Sequence, residues 1–132
     1  MIVVDTSVLI AVLKDEHDGP ALTRCMAAAT ARFISAGTAL ECGIVIGANY
    51  GDAGLDAMRE LYSSLELEIL HFDAEQSRMG YEAFRRYGRG SGHPAKLNFG
   101  DCFAYALAKT RNLPLLFKGD DFIHTDIESA LK

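Results

Sequence analysis

Short apolar runs alternate with longer helical patterns along this chain, and that alternation limits the folds it can adopt. Each strand-like run is followed by a segment whose apolar residues recur at helical spacing. Strands that alternate with helices are typical of an α/β fold, here predicted as one parallel β-sheet flanked by helices on both faces. The predicted strands are Ile2–Val4, Arg32–Ser35, Glu68–Phe72 and Leu115–Phe117.

Turn and capping residues divide the helical patterns from one another. Gly51 interrupts a long helical stretch, and residues 88–97 concentrate Gly, Ser and Pro, as expected of a loop. The loop is too short to join two domains, and a length of 132 residues matches one typical domain, so a single domain over residues 1–132 is predicted. The predicted helices follow the first strand and then span Gly19–Ala29, about Thr38 to Tyr50, Leu55–Leu65, Ala74–Tyr87 and residues 98–109.

Cysteine content and the first residues of the chain bear on its location. Cys25, Cys42 and Cys102 form no CxxC pair, and their odd number argues against a disulfide framework, so a cytoplasmic protein is predicted. Asp5 lies inside the first apolar run, which suits neither a signal peptide nor a membrane span. The formal net charge of −5 gives no overall basic field, so an anionic ligand would need local basic residues.

Four acidic residues stand in the least charged parts of the chain. Each has a simple structural explanation, because Asp5 could be a turn residue, Asp120 could cap a helix, and the other two fit capping boxes. Those boxes would be Thr38-Ala-Leu-Glu41 and Asn98-Phe-Gly-Asp101. Capping explains each position singly, but it does not explain why all four acids lie in the least charged parts of the chain. These acids are Asp5, Glu41, Asp101 and Asp120.

Convergence of these acids on one site would explain their distribution. Asp5 and Asp120 each follow a predicted strand, and ligands of parallel sheets bind where the strands end. Clustered carboxylates repel one another unless cations neutralise them, and hard oxygen ligands suit Mg²⁺ or Mn²⁺. Such ions activate water and stabilise the charge on a phosphoryl group. The acids therefore indicate a metal-dependent phosphodiesterase.

Several motifs in the chain resemble those of PIN-domain ribonucleases of the VapC toxin type. The resemblance runs nearly end to end and is most specific in GHPAKLNFGDCFAYALA, residues 92–108. It also covers VVDTSVLIAVL at 3–13, SAGTALECGIV at 35–45 and LLFKGDDF at 115–122. The resemblance implies an endoribonuclease that acts as the toxin of a toxin–antitoxin pair, with a VapB-type antitoxin as partner and a homodimer as the assembly.

The same resemblance implies roles for individual residues. Asp5, Glu41, Asp101 and Asp120 would form the acidic site that holds one or two Mg²⁺ or Mn²⁺ ions. Among the supporting residues, Thr6 and Ser7 would orient Asp5 or contact a phosphate, and Asn98 would support the site or cap a helix. Asp121 stands beside Asp120 and leaves the identity of the fourth acid open between the two.

Local basic residues bracket the predicted loop before Asp101. Arg85, Arg86, Arg89 and Lys96 lie there, and they could contact RNA phosphates. Arg85 and Arg86 could equally form a solvated helix face. Arg89 and His93 are the preferred candidates for contacting RNA because loop residues reach ligands more freely, although His93 next to Pro94 could be only a turn residue.

Two other functions are compatible with parts of the sequence. A haloacid-dehalogenase-like phosphatase would use Asp5 as a nucleophile, but that chemistry normally has a second Asp two residues later, where this chain has Ser7. A catalytically silent PIN-like module could bind RNA or an antitoxin peptide without cutting. Retention of all four acids favours the nuclease over the silent module.

Overall fold

The computed structural model describes residues 1–131 and contains a four-stranded, all-parallel β-sheet. The strand order is β3-β2-β1-β4, so the first and last strands of the chain pair with each other. The strands are β1 (Ile2–Val4), β2 (Arg32–Ser35), β3 (Leu67–Leu70) and β4 (Leu115–Leu116). The helices are α1 (Thr6–Leu13), α2 (Gly19–Ala28), α3 (Ala36–Ser64), α4 (Ala74–Tyr87) and α5 (Phe99–Arg111).

Helices cover both faces of the sheet, and the strands send alternate side chains into two separate cores. Ile2 and Val4 pack with residues of α1, α2 and α3, whereas Val3 between them packs with residues of α4 and α5. In β4, Leu116 packs in the first of these cores and Leu115 in the second. A strand buried on both faces reads as a continuous apolar run. The predicted fold class is therefore confirmed.

The start of α3 differs from the prediction. The helix begins at Ala36, and the Ser35 hydroxyl accepts a hydrogen bond from the Gly37 backbone N–H at 3.2 Å. Ser35 is therefore the N-cap, and the predicted start at Thr38 is wrong. The capping box predicted for Thr38 and Glu41 is also wrong, because both residues lie inside the helix.

Two strands end earlier than predicted. β3 ends at Leu70, and the ring of Phe72 lies edge-to-face against Phe103 of α5, with 4.8 Å between ring centroids. β4 ends at Leu116, and Phe117 is buried against α5 rather than paired in the sheet. Both aromatic residues thus pack by their side chains outside the sheet, with Phe117 buried and Phe72 half-buried. The predicted break at Gly51 is confirmed, since that residue has φ +64° inside α3.

The remaining expectations about the chain as a whole have different outcomes. No helix within residues 1–131 is both long enough and apolar enough to span a bilayer. Cys25, Cys42 and Cys102 are free thiols. The prediction of one domain over residues 1–132 stays a prediction, and its last residue, Lys132, lies outside the described residues.

Candidate active site

Asp5 lies at the carboxyl end of the central strand β1 and begins α1. Its Oδ2 accepts hydrogen bonds from the backbone N–H of Ser7 at 3.1 Å and from the Ser7 hydroxyl at 2.6 Å. The side chain is almost fully buried, with 4% of its surface exposed. Burial raises the pKa of Asp5 to about 6, the hydrogen bonds from Ser7 oppose that rise, and the charge of Glu41 adds to it.

Glu41 lies on α3, past the end of the neighbouring strand β2, and faces Asp5. The hydroxyl of Thr6 donates a hydrogen bond to Glu41 Oε1 at 2.5 Å. The Glu41 carboxylate also packs directly against Gly100 near the start of α5, where a Cβ atom would overlap it. The absence of a side chain at position 100 therefore makes room for Glu41 between α3 and α5.

Asp101 lies in the first turn of α5 and forms the predicted capping box with Asn98. The Asn98 backbone N–H donates to Asp101 Oδ2 at 2.9 Å, and Asn98 Oδ1 accepts from the Asp101 backbone N–H at 2.9 Å. Burial raises the pKa of Asp101 to about 8, the Asn98 N–H opposes the rise, and Asp5 and Asp121 add to it. Asp101 is thus both a helix cap and a member of an acidic cluster.

The two acids after β4 differ in their surroundings. Asp121 interacts with Asp101 through its charge and through hydrogen bonding between the two carboxyl groups. Both acids are exposed, but only Asp121 is among the groups that shift the pKa of Asp101, and Asp120 is not. The predicted role of Asp120 as a helix cap is wrong, because a series of turns rather than a helix follows it. The structure therefore brings Asp121 to the other acids.

The loop that carries Asp121 is tied to the start of α1. The Ser7 hydroxyl, which donates to Asp5, also accepts a hydrogen bond from the Lys118 backbone N–H at 3.0 Å. The Lys118 ammonium lies 2.5 Å from Glu16 and 3.0 Å from Asp18. This cation therefore pairs with acids at the C-terminal end of α1 and at the start of α2.

The acids suit a hard divalent cation by their chemistry, but they do not form a closed ligand set as they stand. Within residues 1–131, no group of three or more His, Cys, Asp or Glu side chains could hold a metal ion in the present arrangement. Three of the acids are occupied by donors from Ser7, Thr6 and Asn98. Burial raises the pKa values of Asp5 and Asp101, the charges of neighbouring acids add to both shifts, and a bound cation would oppose them. Carboxylate oxygens are also the donors that Mg²⁺ and Mn²⁺ prefer.

The basic residues near α5 fall into two groups. Arg85 is exposed on α4 and paired with Glu82, and Arg86 lies over the Tyr87 ring at 4.9 Å, as the solvated-helix interpretation expects. Arg89 and His93 instead line an open cleft of about 600 Å³ together with Lys96. The His93 ring is half-buried against Tyr87, and its Nδ1 accepts from the Ala95 N–H. The loop is therefore the part of this basic region that remains available to a ligand.

The sequence interpretation did not anticipate two features of the site. One is Gly100, whose contact with Glu41 has no local signal beyond a glycine in a helical turn. The other is a groove of exposed aromatic rings beside the start of α5, which includes Phe99 and Phe103. Their spacing of four residues places both rings on one side of the helix, and that pattern could have revealed the groove.

Comparisons with known proteins agree with this fold. The PIN domain family matches residues 2–128 of the chain. Ribonuclease VapC28 of Mycobacterium tuberculosis is 46% identical over 129 residues, which cover 98% of this chain and 97% of that protein. Ribonuclease VapC30 of the same organism is 40% identical over 128 residues, covering 97% of each.

Solved structures show the same fold at much lower sequence identity. The toxin VapC20 of Mycobacterium tuberculosis, described as cleaving the sarcin-ricin loop, superposes with a TM-score of 0.78 at 16% identity and 96% coverage of both chains. A chain of VapBC2 from Rickettsia felis, in a complex with a promoter DNA fragment, superposes with a TM-score of 0.75 at 16% identity, covering 98% of this chain and 96% of that chain. The chain belongs to the PIN-domain family, within the branch of the VapC ribonucleases.

Proposed function

We propose that this protein is a metal-dependent endoribonuclease that acts as the toxin of a VapBC-type pair. The observation that carries the proposal is the meeting of Asp5, Glu41 and Asp101 at the carboxyl edge of a parallel sheet. The similarity to Ribonuclease VapC28 supports the choice of RNA as substrate. The PIN-domain match leaves the phosphatase alternative with no observation in its favour.

The residues of the chain would prepare the site for one or two Mg²⁺ or Mn²⁺ ions. Asp5, Glu41, Asp101 and one acid after β4 would be the ligands, and Asp121 is the better placed of the two candidates for that fourth position. The bound ion would supply an activated water and would neutralise charge on the phosphodiester. Without the ion, the carboxylates are kept in place by protein donors.

Those donors define supporting roles for three residues. Ser7 orients Asp5, Thr6 orients Glu41, and Asn98 orients Asp101. Since burial raises the pKa of Asp101 to about 8, this carboxyl group holds a proton at neutral pH in the absence of the ion. Cation binding would release that proton. Hydrolysis would leave a 5′-phosphate and a 3′-hydroxyl, and a 2′,3′-cyclic phosphate product would contradict this mechanism, since it requires attack by the ribose.

Arg89 is the proposed phosphate contact, because it is exposed and lines the open cleft in the loop before α5. Arg89→Ala is expected to weaken RNA binding and to reduce its salt dependence, while metal affinity stays unchanged. Arg24→Ala is the matched control, since Arg24 is exposed on α2, which packs on the opposite face of the sheet. Equal RNA affinity of the wild type and the Arg89 variant would remove Arg89 from the interface.

The partners follow from the same proposal. A VapB-type antitoxin, a homodimeric assembly and a cytoplasmic location are proposed, and the VapBC2 complex among the structural relatives supports the first of these. Co-expression with a cognate VapB-type antitoxin should yield a stable complex. Light scattering of the antitoxin-free protein should give twice the chain mass, and a mass of one chain would refute the dimer.

Cleavage of a total small-RNA pool by antitoxin-free protein tests the function. The wild type is expected to cut RNA in Mn²⁺ or Mg²⁺ and not in EDTA, and Asp101→Asn is expected to abolish cutting. The Asn side chain can still accept the hydrogen bond from Asn98, so this variant should retain the start of α5. Folded wild-type protein that binds RNA equally in EDTA and Mn²⁺ and leaves it intact would establish the silent binding module instead.

A further inference from the structure

A groove lined by aromatic rings runs between α4 and α5 beside the acidic site. Its volume is about 370 Å³, and its walls include Phe72, Tyr81, Phe84, Phe99, Cys102 and Phe103, which we call the aromatic groove. Phe103 lies edge-to-face against Phe99 at 5.1 Å and against Phe72 at 4.8 Å between ring centroids. These contacts fix the rings in place, so the groove is formed before any ligand arrives.

The rings at its mouth are unusually exposed for large apolar side chains. Phe99 is 78% exposed, Tyr81 is 70% exposed and Phe84 is 38% exposed. A cluster of exposed aromatic residues marks a binding surface in a protein of this size. The groove offers flat ring surfaces and few polar groups, which favours a flat apolar ligand over one that is read by hydrogen bonds.

The position of the groove relates it to the site. Phe99 is the first residue of α5. The residue before it, Asn98, caps the helix and donates a hydrogen bond to Asp101, and the residue after it, Gly100, contacts the Glu41 carboxylate. A polynucleotide that passes over the acids would therefore bring its neighbouring nucleotides to Phe99. Arg89, which lines the open cleft in the loop before α5, can attract the phosphates of such a strand.

We infer that the aromatic groove binds an unpaired nucleobase of the RNA that flanks the bond to be cut, with Phe99 and Tyr81 as stacking platforms. This inference rests on the proposed ribonuclease function. Base stacking on aromatic side chains tolerates any base, because every base has a π-face. A paired base in a duplex keeps its faces stacked on its neighbours, so the groove selects single-stranded segments, loops or bulges.

A tryptophan at position 99 gives a direct test, because the chain has no other tryptophan. Phe99→Trp is made in the Asp101→Asn background, so that RNA stays intact in Mg²⁺. Titration uses a single-stranded RNA oligonucleotide and an abasic oligonucleotide with the same number of phosphates. We expect the RNA to quench the indole fluorescence through stacking and the abasic strand to bind without quenching it. RNA that binds without quenching would overturn the inference.

A matched series at the same position separates stacking from simple apolar contact. Phe99→Leu keeps a large apolar side chain but removes the ring, and Phe99→Ala removes the ring and most of the apolar side chain. Both are expected to weaken binding of single-stranded RNA roughly 5- to 100-fold and to leave the affinity for the abasic strand unchanged, while Phe99→Trp keeps the wild-type affinity. Equal weakening for both strands, or full affinity of Phe99→Leu, would refute a stacking role.

Two further outcomes distinguish this inference from its alternatives. If Phe99→Ala lowers the oligomeric mass in light scattering and leaves RNA affinity unchanged, the groove is an interface with a second copy and the inference is overturned. If the wild-type protein cuts no RNA, but the indole of the Phe99→Trp variant is quenched by the RNA strand and not by the abasic strand, the nuclease function fails while the stacking site stands. If the wild-type protein cuts RNA but RNA does not quench the indole of the Phe99→Trp variant, the nuclease function stands and the stacking site is refuted.

Discussion

Replacing Asp101 with Asn is expected to stabilise the metal-free protein at neutral pH. Burial, with Asp5 and Asp121 adding to it, raises the pKa of Asp101 from its ordinary value of 3.8 to about 8. Between these two pH values the folded state keeps a proton that the unfolded state has released. The free energy of unfolding therefore falls as the pH rises through this window, by up to about 1.4 kcal/mol per pH unit for one group.

The expected magnitude follows from that slope. From pH 5 to pH 7 the wild type should lose about 3 kcal/mol of stability through Asp101, since one proton is involved over two pH units. Asp101→Asn removes this loss and keeps the hydrogen bond from the Asn98 N–H. Asp5, whose pKa is raised to about 6, adds a loss of the same sign in both proteins, and that loss is confined to pH values below about 6.

Urea unfolding followed by far-UV circular dichroism at pH 5, 6 and 7 in EDTA measures these free energies. The wild-type and Asp101→Asn curves should diverge as the pH rises, with the variant more stable at pH 7. Asp52→Asn is the control, because it makes the same substitution at an exposed position on α3. Parallel pH dependences of the wild type and Asp101→Asn would show that Asp101 does not hold its proton in the folded protein, and the reasoning would fail.

Two other substitutions test the geometry of the site. Gly100→Ala introduces a methyl group that overlaps the Glu41 carboxylate, so we expect RNA cleavage to fall at least tenfold; Gly43→Ala, where a Cβ meets nothing within 4 Å, should keep full activity. Equal cleavage by both variants would show that Glu41 is not needed where it lies. Asp121→Asn should abolish metal-dependent cleavage and Asp120→Asn should not, and the opposite result would assign the fourth acid to Asp120.

The sequence predicted the sheet and the positions of the acids because both depend on short-range patterns. Apolar runs such as Ile2–Val4 are buried on both faces, and a lone Asp after such a run is visible without a structure. The capping box of Asn98 and Asp101 was predicted from its residue spacing and is confirmed. The family motifs around these residues supplied the rest of the site interpretation.

The errors arose where distant contacts or competing local signals decide the outcome. Ser35 outcompetes Thr38 as the cap of α3, although both residue types are good caps. The contact between Gly100 and Glu41 joins α5 to α3, and no local pattern encodes it. The orientation of Asp121 toward Asp101 likewise depends on how the loop after β4 is held, which residue spacing alone does not determine.

The pairing of the first and last strands has a consequence for how the protein is made. β1 carries Asp5, but its neighbour β4 and the loop with Asp121 are synthesised after the other three strands, and the hydrogen bond from the Lys118 N–H to Ser7 joins residues that are 111 positions apart. A nascent chain that has reached only β3 has made Asp5 and Glu41 but neither later acid. The acidic cluster therefore cannot assemble before β4 and the loop after it have been synthesised, and a ribosome that makes this protein is not exposed to an active nuclease before that point.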